Sequence, residues 1–153
     1  MAMAQVLSNP MWSLKVEVPI IKDIAAFAVF KIFPQVTLNN EIKWEDLSSD
    51  PEVIHNYEKD VLRHDRISAG VYLGSIVAME NLKSLISKID MPTLLQISPN
   101  DPVCDGIKAR DYFSKLSSQE KILKEYSNSK HEIYNDIERK AAIADLKEFL
   151  GKV

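Results

Sequence analysis

The stretch that most restricts how this chain folds is Thr93-Leu94-Leu95-Gln96-Ile97, an apolar run between Pro92 and the polar turn Ser98-Pro99-Asn100. A run this short, closed by turn formers, reads as a buried strand of a mostly parallel sheet. A helical pattern follows over Cys104 to Leu116, with Ile107, Tyr112, Phe113 and Leu116 expected to face inward. A second strand is expected at Ile122-Leu123-Lys124-Glu125-Tyr126. Two parallel strands joined by a helix present the loops past their carboxyl ends at one edge. In open α/β sheets that edge collects ligands and chemistry. Asp101 sits on the first of these loops and His131 on the second.

Each residue alone has an ordinary explanation. An Asp in Ser-Pro-Asn-Asp-Pro is a turn former, and a single loop His is often solvent-exposed. Together, past the ends of successive strands, they form the back half of a nucleophile–base–acid triad, in which the Asp orients the His. Acid before base is also the chain order of the last two triad members in α/β-hydrolases.

The wording of the segment sharpens this. Pro92-Thr93-Leu94-Leu95, Asp101-Pro102-Val103, Ala109 through Leu116, Lys124-Glu125-Tyr126 and His131-Glu132-Ile133-Tyr134-Asn135-Asp136 resemble the C-terminal end of the monoacylglycerol lipase and lysophospholipase branch of the α/β-hydrolase fold. That branch shows P-x-L-x-x-x-G-x-x-D, a helix, then a strand and a loop ending in H-E. Ser98 departs from the pattern by standing where a Gly is usual. The resemblance implies that Asp101 is the triad acid and His131 the general base. Some members carry a Cys in the same D-x-x-C-D pattern, so Cys104 reads as a thiol near the site, with inert packing as the alternative. It is expected to be a poor nucleophile, because a residue on the acid's own helix is badly placed to face His131.

The nucleophile is missing from the pattern. No G-x-S-x-G occurs in the 153 residues, and the whole chain has four Gly. The His-Gly motif of the family's oxyanion hole is absent as well. The resemblance therefore covers nearly all of this chain but only the C-terminal part of the family's length.

Towards the amino terminus, Ala4-Gln5-Val6-Leu7-Ser8 reads as a short strand closed by Asn9-Pro10. The resemblance makes it the strand immediately before the cap. Pro19 to Pro34 is apolar nearly all round, which suits a helix that is buried or lies against lipid. A core or subunit-contact helix is one reading. The resemblance implies the other, a cap helix whose Ile24, Phe27 and Phe30 wall an acyl-chain channel and make transient contact with a membrane surface. Asn39 to Leu47 reads as loop. Ser49 or Asp50 caps a helix with Pro51 in its first turn, Glu52 completing a capping box, and an end near Asp60. His55 and His64 match no ligand spacing and are read as structural or surface residues, so no metal is expected. Ile67 to Asp90 is the longest helical signal, loosened at its start by Gly70 and Gly74. Asn135-x-x-Glu138 opens a last helix with Ile137, Ala141, Ala144, Phe149 and Leu150 on one face and Gly151 as its stop.

The expected fold is α/β, a partial α/β-hydrolase with about three mainly parallel strands, flanking helices and an inserted helical cap. Residues 1–10 form the first core strand, 11–90 the cap and return helix, and 91–153 the strand-helix-strand-helix core that carries acid and base. Net charge is −3 with no Lys/Arg cluster, which argues against nucleic acid as a partner. One Cys excludes an internal disulfide and suits a reducing, cytoplasmic compartment. There is no signal peptide pattern and no apolar run long enough to span a bilayer. The expected function is hydrolysis of carboxylic esters such as monoacylglycerol or lysophospholipid, without a cofactor and with the nucleophile outside this chain. A complementing N-terminal chain or a homodimer at the first strand's edge is the expected protein partner. The rival reading is a non-catalytic module that binds lipid or protein. A third is a truncated reading of a complete enzyme.

Overall fold

The computed structural model describes residues 3–15, 33 and 35–153. In chain order the described elements are β1 (Gln5–Ser8), β2 (Thr37–Asn39), α1 (Trp44–Leu47), α2 (Pro51–Lys59), β3 (Arg66–Ser68), α3 (Ala69–Leu85), β4 (Thr93–Ile97), α4 (Gly106–Ser114), β5 (Lys121–Glu125) and α5 (Arg139–Leu150). Single 3₁₀ turns follow α3 at Ile86–Lys88 and precede α5 at Ile133–Asn135.

β4 is the centre of the molecule because both its faces and both its edges are covered. It pairs in parallel with β1 (Leu7 opposite Leu95) and with β5 (Leu95 opposite Leu123). All five of its residues are buried. On one face Leu95 and Ile97 join Ile86, Ala109, Phe113 and Leu116 in a single cluster, so α3 and α4 cover that side. Each fully buried aliphatic side chain contributes about 2 kcal/mol. The other face carries Gln96, a polar residue in a strand with no solvent. Its Nε2 donates to the Ala142 carbonyl of α5 at 2.9 Å and to the Tyr126 hydroxyl at 2.6 Å. The Tyr134 hydroxyl donates to Gln96 Oε1, and the Tyr126 hydroxyl donates onward to Asp145 at 2.8 Å. The buried amide is therefore fully paired. The result is a three-stranded parallel sheet, order β1-β4-β5, with helices on both faces.

Several boundaries differ from the sequence reading. Asn39, expected in a loop, and Ile67 and Ser68, expected in a helix, lie instead in a short antiparallel ribbon of residues 37–39 and 66–68, β2 with β3. The long helix consequently starts at Ala69, where the Ser68 hydroxyl accepts the Val71 amide at 3.2 Å. Trp44–Leu47 is a short helix rather than loop. At α2 the Asp50 side chain accepts the Glu52 amide at 3.0 Å, but no Ser49–Glu52 box forms, because the Ser49 amide is held by Asp136. Ile107 is 77% exposed: Asp105 caps α4, which turns Ala109 and Phe113 inward instead. In α5 the buried residues are Ala142 and Phe149, while Ile137, Ala141, Ala144 and Leu150 are exposed. Glu138 does not cap that helix; its carboxylate accepts the Asn128 amide and the Ser129 hydroxyl. Gly151 ends α5 with φ −78°, in the right-handed region, so the stop needs no left-handed residue.

The apolar segment 19–34, with Ile24, Phe27 and Phe30, lies outside the described residues apart from Phe33. Among the described residues no helix is long and apolar enough to cross a membrane.

Candidate active site

The parallel order brings the ends of β1, β4 and β5 to one rim. β4 stops at Ile97, and the chain turns over Ser98-Pro99-Asn100, with the Asp101 amide donating to the Ser98 carbonyl at 3.2 Å. Gly106, at the start of α4, passes so close to this turn that a Cβ there would lie 3.2 Å from the Ser98 carbonyl oxygen. Asp101 is 1% exposed. Its Oδ1 accepts the Val103 amide at 2.7 Å and the Cys104 amide at 3.1 Å. Its Oδ2 lies 2.8 Å from His131 Nδ1. Both carboxylate oxygens are thus committed, which fixes the side chain and leaves one lone-pair direction for the imidazole.

His131 lies on the loop after β5, 26% exposed. Its amide donates to the Asp46 carbonyl at 3.4 Å, and the next amide, that of Glu132, donates to the Leu47 carbonyl at 2.8 Å. With Nδ1 turned to Asp101, Nε2 is the nitrogen presented for proton exchange. Ser98, the residue that departs from the family's Gly, donates its hydroxyl to the Ser129 carbonyl. The departure thus supplies a bond between the acid's turn and the base's loop.

Cys104 reaches the same place. Its sulfur, a ligand atom of Asp101 and one of His131 all lie within 4.8 Å of one another. The expectation that its position on the acid's helix turns it away from His131 is therefore not met. It precedes α4, bridging to Leu14. Burial, and then the charge of Asp101, push the thiol up to about 12. It keeps its proton at neutral pH and is a poor nucleophile for that reason. The same proton, and the commitment of both Asp101 oxygens, disfavour this trio as a metal site. His55 and His64 have separate local contacts, with Glu58 at 3.8 Å and the Arg66 amide at 3.3 Å.

Glu132, next to the base, links its loop to α2. Its carboxylate accepts from the Tyr57 hydroxyl at 2.5 Å, Arg63 Nη1 at 3.2 Å and Asn135 Nδ2 at 2.7 Å. The Arg63 guanidinium stacks 3.5 Å from the Tyr57 ring centre. Burial by itself would raise the Glu132 carboxyl, but the three donors outweigh it and hold the group below the usual carboxylate range. Burial, and then the bond to Glu132, push the Tyr57 phenol up to about 12. The signs set a pH window. A depressed carboxyl stabilises the fold above its ordinary value near 4.5 and loses that contribution as pH falls through its folded value. The raised phenol stabilises below pH 10 and loses its contribution as pH climbs towards 12. We expect α2 to come away from the His131 loop at both extremes, read as hydrogen exchange of residues 51–63. Glu132→Gln should lose about 2 kcal/mol and flatten the acid limb; an unchanged acid limb would refute the assignment.

Sequence reasoning missed the partners that set this frame. Tyr57 and Arg63 carry no local signal, because the Glu132 carboxylate they bind lies 75 and 69 residues away. Asn9 was legible only as part of an Asn-Pro turn.

A parallel sheet with helices on both faces, and an Asp–His pair at the carboxyl ends of successive strands, defines the class: an α/β-hydrolase fold. The chain belongs to the hydrolase family described as Serine aminopeptidase, S33, whose profile matches residues 1–138. It is similar to a monoglyceride lipase homolog of monkeypox virus, 23% identical over 150 residues, which cover 96% of this chain and 53% of that protein. It is similar also to a monoacylglycerol lipase of Mycolicibacterium smegmatis, 24% identical over 148 residues, covering 96% and 52%. The crystal structure of Paleococcus ferrophilus monoacylglycerol lipase superposes with a TM-score of 0.89 at 25% identity, over 99% of this chain and 60% of that one. The chain spans about half the length of these two curated relatives.

Proposed function

We propose that this chain supplies the acid and the base of a serine hydrolase that cleaves carboxylic esters such as monoacylglycerol or lysophospholipid. The observation that carries the reading is the 2.8 Å contact between a fully buried carboxylate and a partly exposed imidazole at the rim of a parallel sheet. In this reading His131 takes the proton of an attacking serine and returns it to the leaving alcohol, while Asp101 fixes the tautomer and stabilises the imidazolium. The ester class is supported by the lipases to which the chain is similar.

The attacking serine comes from outside these 153 residues, which hold no G-x-S-x-G. Among the described residues β1 pairs with β4 alone, and its outer edge is where a segment carrying the nucleophile, on a complementing chain, would add a further strand. Residues 11–90 act as the cap and return segment in this scheme. Cys104 lies beside the acid without reacting. The cytoplasm is the proposed compartment.

The chain alone is expected to be silent. Purified protein should take no label from a fluorophosphonate probe and should not turn over monoacylglycerol. Labelling of this chain, or turnover abolished by His131→Ala, would overturn the assignment of the nucleophile to another segment. The second reading, a non-catalytic lipid- or protein-binding module, is favoured by one observation. Val71, Ala78 and Leu85, seven residues apart, leave an exposed apolar strip on α3.

A further inference from the structure

We propose that Asn9 is a positioning residue for the Asp101–His131 pair, a role that rests on the reading of that pair as acid and base. Asn9 directly follows β1, and β1 is not a neighbour of β5 in the sheet. Its side chain nevertheless reaches over the end of β4 to the loop after β5. Nδ2 donates to the Lys130 carbonyl at 2.9 Å and to the His131 carbonyl at 2.8 Å. Oδ1 accepts the Ser98 amide at 2.7 Å. The Asn9 amide itself donates to the Gln96 carbonyl at 2.9 Å. One carboxamide thus holds the turn that delivers the acid and the backbone of the base at once.

The chemistry selects asparagine. One end must present two protons to two carbonyls, and the other end must present an oxygen to an amide. Aspartate would set an oxygen against both carbonyls, and alanine would leave three polar groups unpaired in a site where Asn9 is only 4% exposed. The backbone makes the same demand. Its φ is +38°, a left-handed conformation that Asn tolerates better than most side chains. This is not a general packing contact, because the loops it joins are the two that carry the acid and the base. A small drift of either would break a 2.8 Å alignment and misdirect Nε2.

The tautomer of His131 reads this role directly. In ¹⁵N spectra of the 153-residue chain, recorded on the alkaline side of imidazole titration, His131 should be a single tautomer protonated at Nδ1. His55 and His64 serve as internal references. Asn9→Gly keeps the backbone free to adopt positive φ and removes only the carboxamide. It should shift His131 to a mixed tautomer, while the signals of His55 and His64 stay unchanged. If Asn9→Gly fails to fold, Asn9→Ser decides, since its hydroxyl cannot replace both donated bonds. A His131 that keeps its Nδ1 proton in a folded variant would overturn the role of Asn9 and leave the Asp101–His131 pair standing. A mixed tautomer already in the unaltered chain would overturn the pair itself, and Asn9 with it.

Discussion

Turnover that depends on both Asp101 and His131 is expected once the chain is supplied with a nucleophile-bearing segment. The donor is the part of the Paleococcus ferrophilus lipase that this chain does not span. In the complemented enzyme His131→Ala should lower kcat by a factor on the order of 10^6, and Asp101→Ala by about 10^4. The asymmetry has a physical origin. Without the imidazole no group takes the serine's proton. Without the carboxylate the imidazole remains but spends part of its time in the wrong tautomer and swings from its place. Asp101→Asn is the sharper probe, because an amide that donates to Nδ1 drives the proton to Nε2, where it blocks proton uptake. KM should change little in each case, since neither group is assigned to substrate binding. A complemented enzyme whose kcat ignores both substitutions would remove the Asp101–His131 pair from the chemistry.

The largest expected effect on stability lies five residues beyond the base. Asp136 is 0% exposed, and its carboxylate is held by backbone amides. Both oxygens lie 2.9 Å from the Ser49 amide, Oδ2 accepts the Lys130 amide at 2.7 Å, and Oδ1 accepts the Ile137 amide at 2.7 Å. Asp136→Ala leaves three amides without their acceptor, and buried unpaired donors cost about 1–3 kcal/mol each. Partial access of water to the Ser49 and Lys130 backbone lowers the total to about 4 kcal/mol, a fall in Tm of about 10 °C for a chain of this size. Asp136→Asn keeps one acceptor and should fall about halfway. Thermal melts of the three proteins check the ordering. A loss below about 1 kcal/mol for Asp136→Ala would show that the amides find other partners.

How much of this was readable in advance depends on the distance over which each contact acts. β4 was legible to the residue, because Pro92 and the Ser98-Pro99-Asn100 turn punctuate five buried positions. β5 was placed one residue late, since Lys121 continues the ladder although its long side chain reads as polar. The closeness of Asp101 and His131 follows from strand order, which a crossover helix between two apolar runs announces. The β2–β3 ribbon was invisible. Three residues per strand are too few for an alternating pattern, and Thr37-Leu38-Asn39 is exposed throughout. Ile107 and Glu138 were misread for a related reason: periodicity marks a face, but the cap decides where the helix begins and so which residues occupy that face. Asn9, Tyr57 and Arg63 escaped because the partners that place them lie far along the chain, where no local spacing records them.

Contacts from residues 46–63 converge on one short stretch, Lys130 to Asp136: the carbonyls of Asp46 and Leu47, the amide of Ser49, the phenol of Tyr57 and the guanidinium of Arg63 all dock there. A graft that exchanged the insertion between β1 and β4 for that of another hydrolase would therefore have to bring mates for two acids, or strand both of them. In such a design the insertion and the loop that carries His131 are inherited as a single unit.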